Sequence, residues 1–231
     1  MFQVEHLETD IMTGIDPESY RKDMPERSLA FVKRLREELD AYASSHPAFR
    51  ASHLPIPMDE LAPVDVKHMI ECGQRSGTGP MASVAGLFSY RTGTYLRDNY
   101  YISELYVENG GDIFLVNKDI IHIALFAGAS PLSNKLAFEL PAGEWGISTS
   151  SGTVGHSYSY GKADAVTVIC RDPLISDAWA TALANRIQGV EDIETVLEFT
   201  ESVNEIAGCM IIYKDTLGVR GNLKIKPVDQ G

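Results

Sequence analysis

The chain has little that would support a disulfide framework, a membrane span or a nucleic-acid surface. Its 231 residues include three cysteines, Cys72, Cys170 and Cys209, far apart and in no CxxC pair. That usage fits a reducing compartment and disfavours structural zinc. No apolar run approaches the roughly twenty residues a bilayer span needs. Met1-Phe2-Gln3-Val4-Glu5 lacks the basic start and apolar stretch of an export signal, so a cytoplasmic protein with no membrane partner is expected. Bases are outnumbered: 20 Lys and Arg against 32 Asp and Glu leave a formal charge of -12. Such a chain repels phosphate backbones and anionic lipid, so no nucleic-acid partner is expected either. Neither a Walker lysine loop nor a GxGxxG turn occurs, which removes the commonest nucleotide motifs. What remains is 44% hydrophobic and 23% charged, the composition of one large globular domain or two small fused ones.

Periodicity predicts a mixed chain. Phe2 to Ile15 reads as one strand or two. Asp23 and Glu26 are spaced as a capping box, Pro25 fits a first helical turn, and Phe31, Leu35, Leu39 and Tyr42 recur at helical spacing. Ser44 to Pro47 ends that helix. A proline-rich crossing follows over 51–63, then a short helix from Pro63 that Gly73 can close. A second long helix is expected from Pro80 to about Leu96. Ala82, Ala85, Gly86, Ser89 and Gly93 give it small residues where another backbone could come close. Strands follow at Glu104–Val107 and Ile113–Val116 around Asn109-Gly110-Gly111, then at Ile120–Phe126, Leu136–Leu140, Trp145–Thr149 and Ala165–Cys170. Ser176 can cap a helix to Ile187, Asp192 another to about Val203, and Gly208–Tyr213 is again a strand. Residues 79–116 and 176–219 run in similar helix–strand–turn–strand order, which fits either an internal duplication or two unrelated units.

Three places could hold chemistry. Asp177, Thr181 and Asn185 share one edge of a helix. With Asp177 in the first turn, a carboxylate and a hydroxyl one turn apart suit Mg²⁺ or Ca²⁺. The same spacing fits a first-turn acid beside a solvent-facing threonine. Glu108-Asn-Gly-Gly-Asp112 could bring a ligand close to backbone amides at Gly110 and Gly111, with Asp112 on a ribose hydroxyl or base edge, or could be a plain hairpin turn. The run Ser148-Thr-Ser150-Ser151-Gly152-Thr153-Val-Gly-His156 could form an anion nest with His156 as a proton-transfer group, or a surface loop. The remaining histidines show no metal-type pairing; His122 reads as a half-buried strand residue. Cys170 and Cys209 read as inert buried thiols, and Cys72, near a helix end, as less sheltered.

In that order, these motifs resemble the ApbE-like superfamily, whose best-known members are flavin transferases that attach FMN from FAD to protein threonines with Mg²⁺. Glu108 to Ile113 resembles the family's N-A-G-G-D-I turn, Thr149-Ser-Ser-Gly152 its T-S-G loop, and Ser176 to Leu183 its A-D-A-L-A-T-A-L helix. Gly77-Thr-Gly79-Pro-Met81 stands where the family has an A-K-G-Y turn. The chain is most similar to a compact cytoplasmic branch carrying G-T-G-P-M-A-x-V-A-G, E-N-G-G-D and T-S-S-G-T-V-G-H-S. Some members of that branch are tied to sulfide-dependent homocysteine formation in anaerobes.

The resemblance implies an α+β fold: one domain over 1–231 with antiparallel sheets packed against helices, duplicated as T-fold-like halves at about 1–118 and 119–231. It implies Mg²⁺ on Asp177 and Thr181. FAD or FMN would lie against Gly79, Asn109, Gly110, Gly111, Asp112, Ser150, Ser151, Gly152 and Thr153. The implied partners are a small-molecule flavin or nucleotide, with either a second copy of the chain or a sulfur-metabolism protein beside it. One departure counts against transfer: the family's H-x-x-D-P-x-T-G segment is not intact, because His156 is followed by Ser-Tyr-Ser-Tyr-Gly161. Three functions therefore stand open: a Mg²⁺-dependent transferase of FMN or a nucleotidyl group, a flavin-binding protein that supports sulfur insertion without transfer, and an adaptor with a relict fold.

Overall fold

The computed structural model describes residues 1–152 and 160–228. The chain opens with two strands, β1 (Phe2–His6) and β2 (Thr9–Ile15), turned at Leu7 in the left-handed region (φ 54°). Helix α1 (Met24–Ser45) buries Phe31, Val32, Leu35, Leu39 and Ala43 along one face. The expected capping box does not form. Asp23 is itself helical (φ -85°, ψ -10°), and its carboxylate turns to Arg27 at 3.2 Å and the Tyr100 hydroxyl at 2.8 Å.

After α2 (Pro47–Ala51) and the crossing segment comes α3 (Val64–Ser76), which runs past Gly73 and stops at left-handed Gly77 (φ 80°). Gly73 stays inside the helix because a Cβ there would lie 2.8 Å from the Thr78 carbonyl oxygen, a place for close packing and not a stop. The long helix expected from Pro80 is split into a 3-10 turn, Pro80–Ser83, and α4 (Val84–Asn99).

The hairpin around Gly110-Gly111 is present as β3 (Leu105–Asn109) and β4 (Asp112–Asn117). Next are β5 (Ile121–Ala124), β6 (Leu136–Leu140), β7 (Gly143–Ser150) and β8 (Ala165–Cys170). Helix α5 (Pro173–Ala184) begins three residues before the expected Ser176 cap, because Asp172 is the cap: its carboxylate accepts the Leu174 and Ile175 amides at 2.8 and 3.4 Å. Ser176 sits inside the first turn and donates to the Pro173 carbonyl at 2.9 Å. The chain closes with α6 (Asp192–Thr200), β9 (Gly208–Tyr213), β10 (Thr216–Gly221) and β11 (Ile225–Pro227).

Eight strands form one antiparallel sheet in the order β1-β2-β3-β4-β7-β8-β9-β10, and a second sheet runs β11-β6-β5. The large sheet thus reads hairpin, helices, hairpin on each side of the central β4–β7 pair. The class is α+β with antiparallel sheets, as expected. Alternation gives the large sheet two apolar faces. Phe114, Val166, Val168 and Ile211 pack under the helices with Val32, Leu87, Leu174 and Ala178. Leu115, Ile147, Ile169 and Met210 pack against the small sheet with Leu125, Phe138 and Leu140. Among the described residues no helix is long and apolar enough to cross a membrane.

Candidate functional site

Two glycines let α5 lie deep against its neighbours. A Cβ on Gly146 of β7 would sit 2.5 Å from the Pro173 backbone, and one on Gly86 of α4 would collide with the Pro173 carbonyl and lie 3.0 Å from the Asp177 Cβ. This crossing carries Asp177, the fifth residue of α5, to the start of α4. There its Oδ2 accepts the Gly86 amide at 2.8 Å, and the Ala85 amide gives a second bond. The position differs from the sequence expectation. Asp177 lies beyond the first turn of its own helix and meets the positive end of α4 instead, because α5 starts earlier than Ser176.

The other side of Asp177 meets Asp112, the first residue of β4. The two carboxyls are 9% and 8% exposed and share a hydrogen bond, and Ser148 also bonds Asp112. Behind them the Ser148 and Ser176 hydroxyls pair at 2.9 Å. Among the described residues no basic side chain acts on either acid. Burial pushes the Asp177 carboxyl up to about 7, although the Gly86 and Ala85 amides and the bond from Asp112 favour its charged form. Burial, then the charge of Asp177, raise Asp112 well above the carboxylate range. Asp112 therefore donates the shared hydrogen bond. Asp177, already accepting two amides, carries the charge, and the pair titrates as one unit.

Asp112 also faces a cavity of about 1030 Å³ that wraps around the tip of the β3–β4 hairpin, from the start of α4 to the space between the two sheets. The tip is Gly110-Gly111, with φ of 64° and 103°. A Cβ on Gly110 would touch nothing within 4 Å, so backbone conformation, not crowding, selects glycine here. Asn109 ties the tip to the helix by donating to the Ala85 carbonyl at 3.3 Å, and Thr149 donates its amide to the Gly111 carbonyl at 3.2 Å. Five carboxyl groups line the cavity (Glu8, Asp40, Glu108, Asp112, Asp164) against two guanidiniums, Arg36 and Arg50. Arg36 is already bound to Glu8 at 2.8 Å and Asp40 at 2.7 Å. An anionic ligand entering this cavity needs a cation beside it.

Of the residues expected at a nucleotide, Asn109, Gly110, Gly111, Asp112 and Ser151 line the cavity together. Ser150 ends β7 next to them. Gly152 donates to the Ala163 carbonyl at 2.9 Å and is backed against the Gly161 carbonyl. Gly79 lies apart, buried against the Ser52 carbonyl, where any side chain would collide. Thr181 is half-buried one turn beyond Asp177. Thr153 and His156 lie outside the described residues.

Sequence spacing missed the contact between Asp112 and Asp177 and the two α4 amides beneath it; the small residue at Gly86 was their only trace. It also misjudged Cys72, which is fully buried with its thiol pushed up by burial, as are Cys170 and Cys209.

Among the described residues no three His, Cys, Asp or Glu side chains cluster as a metal site. The donors present are nonetheless hard oxygens that suit Mg²⁺: two carboxyls held together around one proton, and the Thr181 hydroxyl a turn away. A cation there would take the place of the shared proton, with ligand oxygens or carbonyls completing its shell.

The model of a protein family described as AbpE bacteria matches residues 1–205. A UPF0280 protein of Methanocaldococcus jannaschii, MJ1526, is 35% identical over 223 residues, covering 94% of this chain and 88% of its own length. A UPF0280 protein of Methanothermobacter thermautotrophicus is 39% identical over 198 residues, covering 84% and 77%. Among solved structures, the apo flavinyl transferase ApbE of Pseudomonas stutzeri matches with a TM-score of 0.57 at 16% identity, covering 99% of this chain and 96% of that one. The flavin transferase ApbE of Vibrio cholerae matches at 0.55 and 15%, covering 95% of each. The last two likenesses establish the fold.

Proposed function

This chain belongs to the family described as AbpE bacteria, and from that premise we propose that it binds a flavin nucleotide, FAD or FMN, with a divalent cation at Asp112 and Asp177. One observation carries the reading: two buried carboxyls, Asp112 at the wall of a large cavity and Asp177 bonded to it, share a proton with no basic side chain among the described residues acting on them, beside a turn whose glycines leave the backbone open to a ligand. Burying a carboxylate against a second carboxyl costs free energy and contributes nothing to packing, so such a pair beside a cavity favours a cation there. Bound at that place, Mg²⁺ would neutralise charge on phosphate oxygens. Asp177 and Asp112 would hold the cation, and Gly110, Gly111 and Ser151 would lie along the nucleotide. The apolar space between the sheets, walled by Ile113, Leu115 and Phe138, would take a ring system.

Transfer of FMN from FAD to an acceptor hydroxyl, with AMP leaving, is the second reading. The fold shared with the flavinyl transferase of Pseudomonas stutzeri favours it, and the broken H-x-x-D-P-x-T-G segment places it behind binding. The sulfur reading has no exposed thiol among the three cysteines to carry it. Titrating FAD with the protein, with and without Mg²⁺, while following flavin fluorescence tests the first reading. Mg²⁺-dependent quenching is expected, and no binding under either condition would end it. Release of AMP on incubation with FAD and an acceptor protein decides the second.

A further inference from the structure

Six consecutive residues, Ile121 to Phe126, line the cavity. In a strand alternate side chains point to opposite faces, so one face alone would contribute every second residue. A continuous run requires the edge of the backbone itself to form the wall. Strand β5 is such an edge: among the described residues it pairs with β6 alone. The register is antiparallel, with Ile121 opposite Leu140, His122 opposite Glu139, Ile123 opposite Phe138 and Ala124 opposite Ala137. The ladder continues with the Leu125 amide donating to the Leu136 carbonyl at 2.8 Å. In an antiparallel pair, residues two apart share the same hydrogen-bonding role. Ile121, Ile123 and Leu125 therefore turn their amides and carbonyls toward β6, and His122 and Ala124 turn theirs into the cavity.

We propose that this edge is a docking site for an extended, positively charged polypeptide segment, which would add to the small sheet as a fourth strand along β5 and run past the Gly110-Gly111 turn. Donor–acceptor sets repeating at every second residue, about 6.8 Å apart, match the repeat of another extended backbone. The charge of the segment follows from the opposing walls, where Glu8, Asp40, Glu108 and Asp164 outnumber Arg36 and Arg50. A linear segment fits better than the sheet edge of a second folded copy, because β5 is four residues long and forms a wall inside a cleft. Ile120 and Phe126, 62% and 58% exposed at the two ends of the strand, offer apolar contacts to the segment's side chains. The edge shares this cavity with the nucleotide proposed above, but its docking role rests on β5 alone and not on what binds at Asp112 and Asp177.

The probe is a labelled decapeptide alternating lysine with valine or threonine, titrated into the full chain without flavin or metal, so that its failure leaves the flavin reading untouched. Saturable binding is expected, with hydrogen exchange slowed at the His122 and Ala124 amides. Methylating alternate backbone nitrogens of the peptide should weaken binding at least tenfold, and a glutamate analogue should not bind. Ala124→Pro removes an outward amide and no ladder bond, so the variant should melt as the parent does and bind at least tenfold more weakly. No binding of the lysine peptide, equal binding by Ala124→Pro or by the methylated peptide, or unslowed exchange at both amides would overturn the proposal. A dimer in sedimentation that Ala124→Pro dissolves would assign the edge to a second copy and overturn it as well.

Discussion

Asp172 caps the helix that carries Asp177, the first half-buried and the second buried, and the fold treats them differently. Asp172 receives His68 at 2.7 Å and the first two free amides of α5. Burial alone would raise its carboxyl, but these bonds outweigh it and hold the group below the usual range. Asp177 receives two amides from α4 and a second carboxyl, and is raised to about 7. Nothing about an aspartate dictates either outcome. The first charge is compensated within the protein; the second is left against a like group, Asp112, that faces a cavity. A compensated charge explains a helix start, whereas an uncompensated one marks the place where something else must supply the cation.

Substitutions should separate the two. Asp177→Asn should lower Mg²⁺-dependent FAD affinity roughly a hundredfold or more, the scale of losing a metal ligand or its support, without lowering the melting temperature of the metal-free protein. Fluorescence titration and a thermal melt check both halves. Gly86→Ala attacks the crossing that brings the acids together. Its methyl meets the Pro173 carbonyl, so a loss of about 1–3 kcal/mol in denaturant unfolding is expected. Asp172→Ala should cost about 1–2 kcal/mol through the lost cap and the stranded histidine, with FAD affinity changed far less than in Asp177→Asn.

The smallest effects are in pH. The hydrogen bond that His68 donates to Asp172 raises the imidazole above 6.5 against burial. Its contribution is complete below 6.5 and lost as pH rises through the raised value. The contribution of Asp172, held below 3.8, is present above 3.8 and lost only in acid. The Asp172→Ala penalty should therefore be largest between about 4 and 6.5 and shrink above that window. The acid pair has one sign only. Both carboxyls are raised above 3.8, so they cost nothing below about 3.8, and stability falls as pH climbs from there to the folded values, about 7 for Asp177, where that loss is complete. The melting temperature of the metal-free protein should fall as pH rises from about 4 to about 7, and Asp112→Asn should flatten that fall while leaving the His68 dependence in place.

Much of this frame is legible in the residues. The β3–β4 hairpin follows from Asn109-Gly110-Gly111 between apolar runs, and α1 from the spacing of Phe31, Leu35 and Leu39. The same is true of the hydroxyl-rich end of β7 and the helix carrying Asp177 and Thr181. Helix starts were less legible. Ser176 and Asp172 are both good caps, and only the path of the chain past Gly146 selects Asp172. Pairing of Asp112 with Asp177 is a tertiary event between a strand and a helix far apart in sequence, and no local period encodes it. The open edge of β5 was hidden for the same reason: a strand's place in a sheet depends on which neighbours arrive, and Ile121 to Ala124 would look the same in the middle of one.

The central claim is that the proton shared by Asp112 and Asp177 holds the place of a divalent cation. Proton release on adding Mg²⁺ and FAD to the metal-free protein, followed with a pH-sensitive dye in weak buffer just below pH 7, tests it most directly. Release of about one proton per chain is expected, abolished in Asp112→Asn. FAD binding with no proton released, or the same release from Asp112→Asn, would contradict the account.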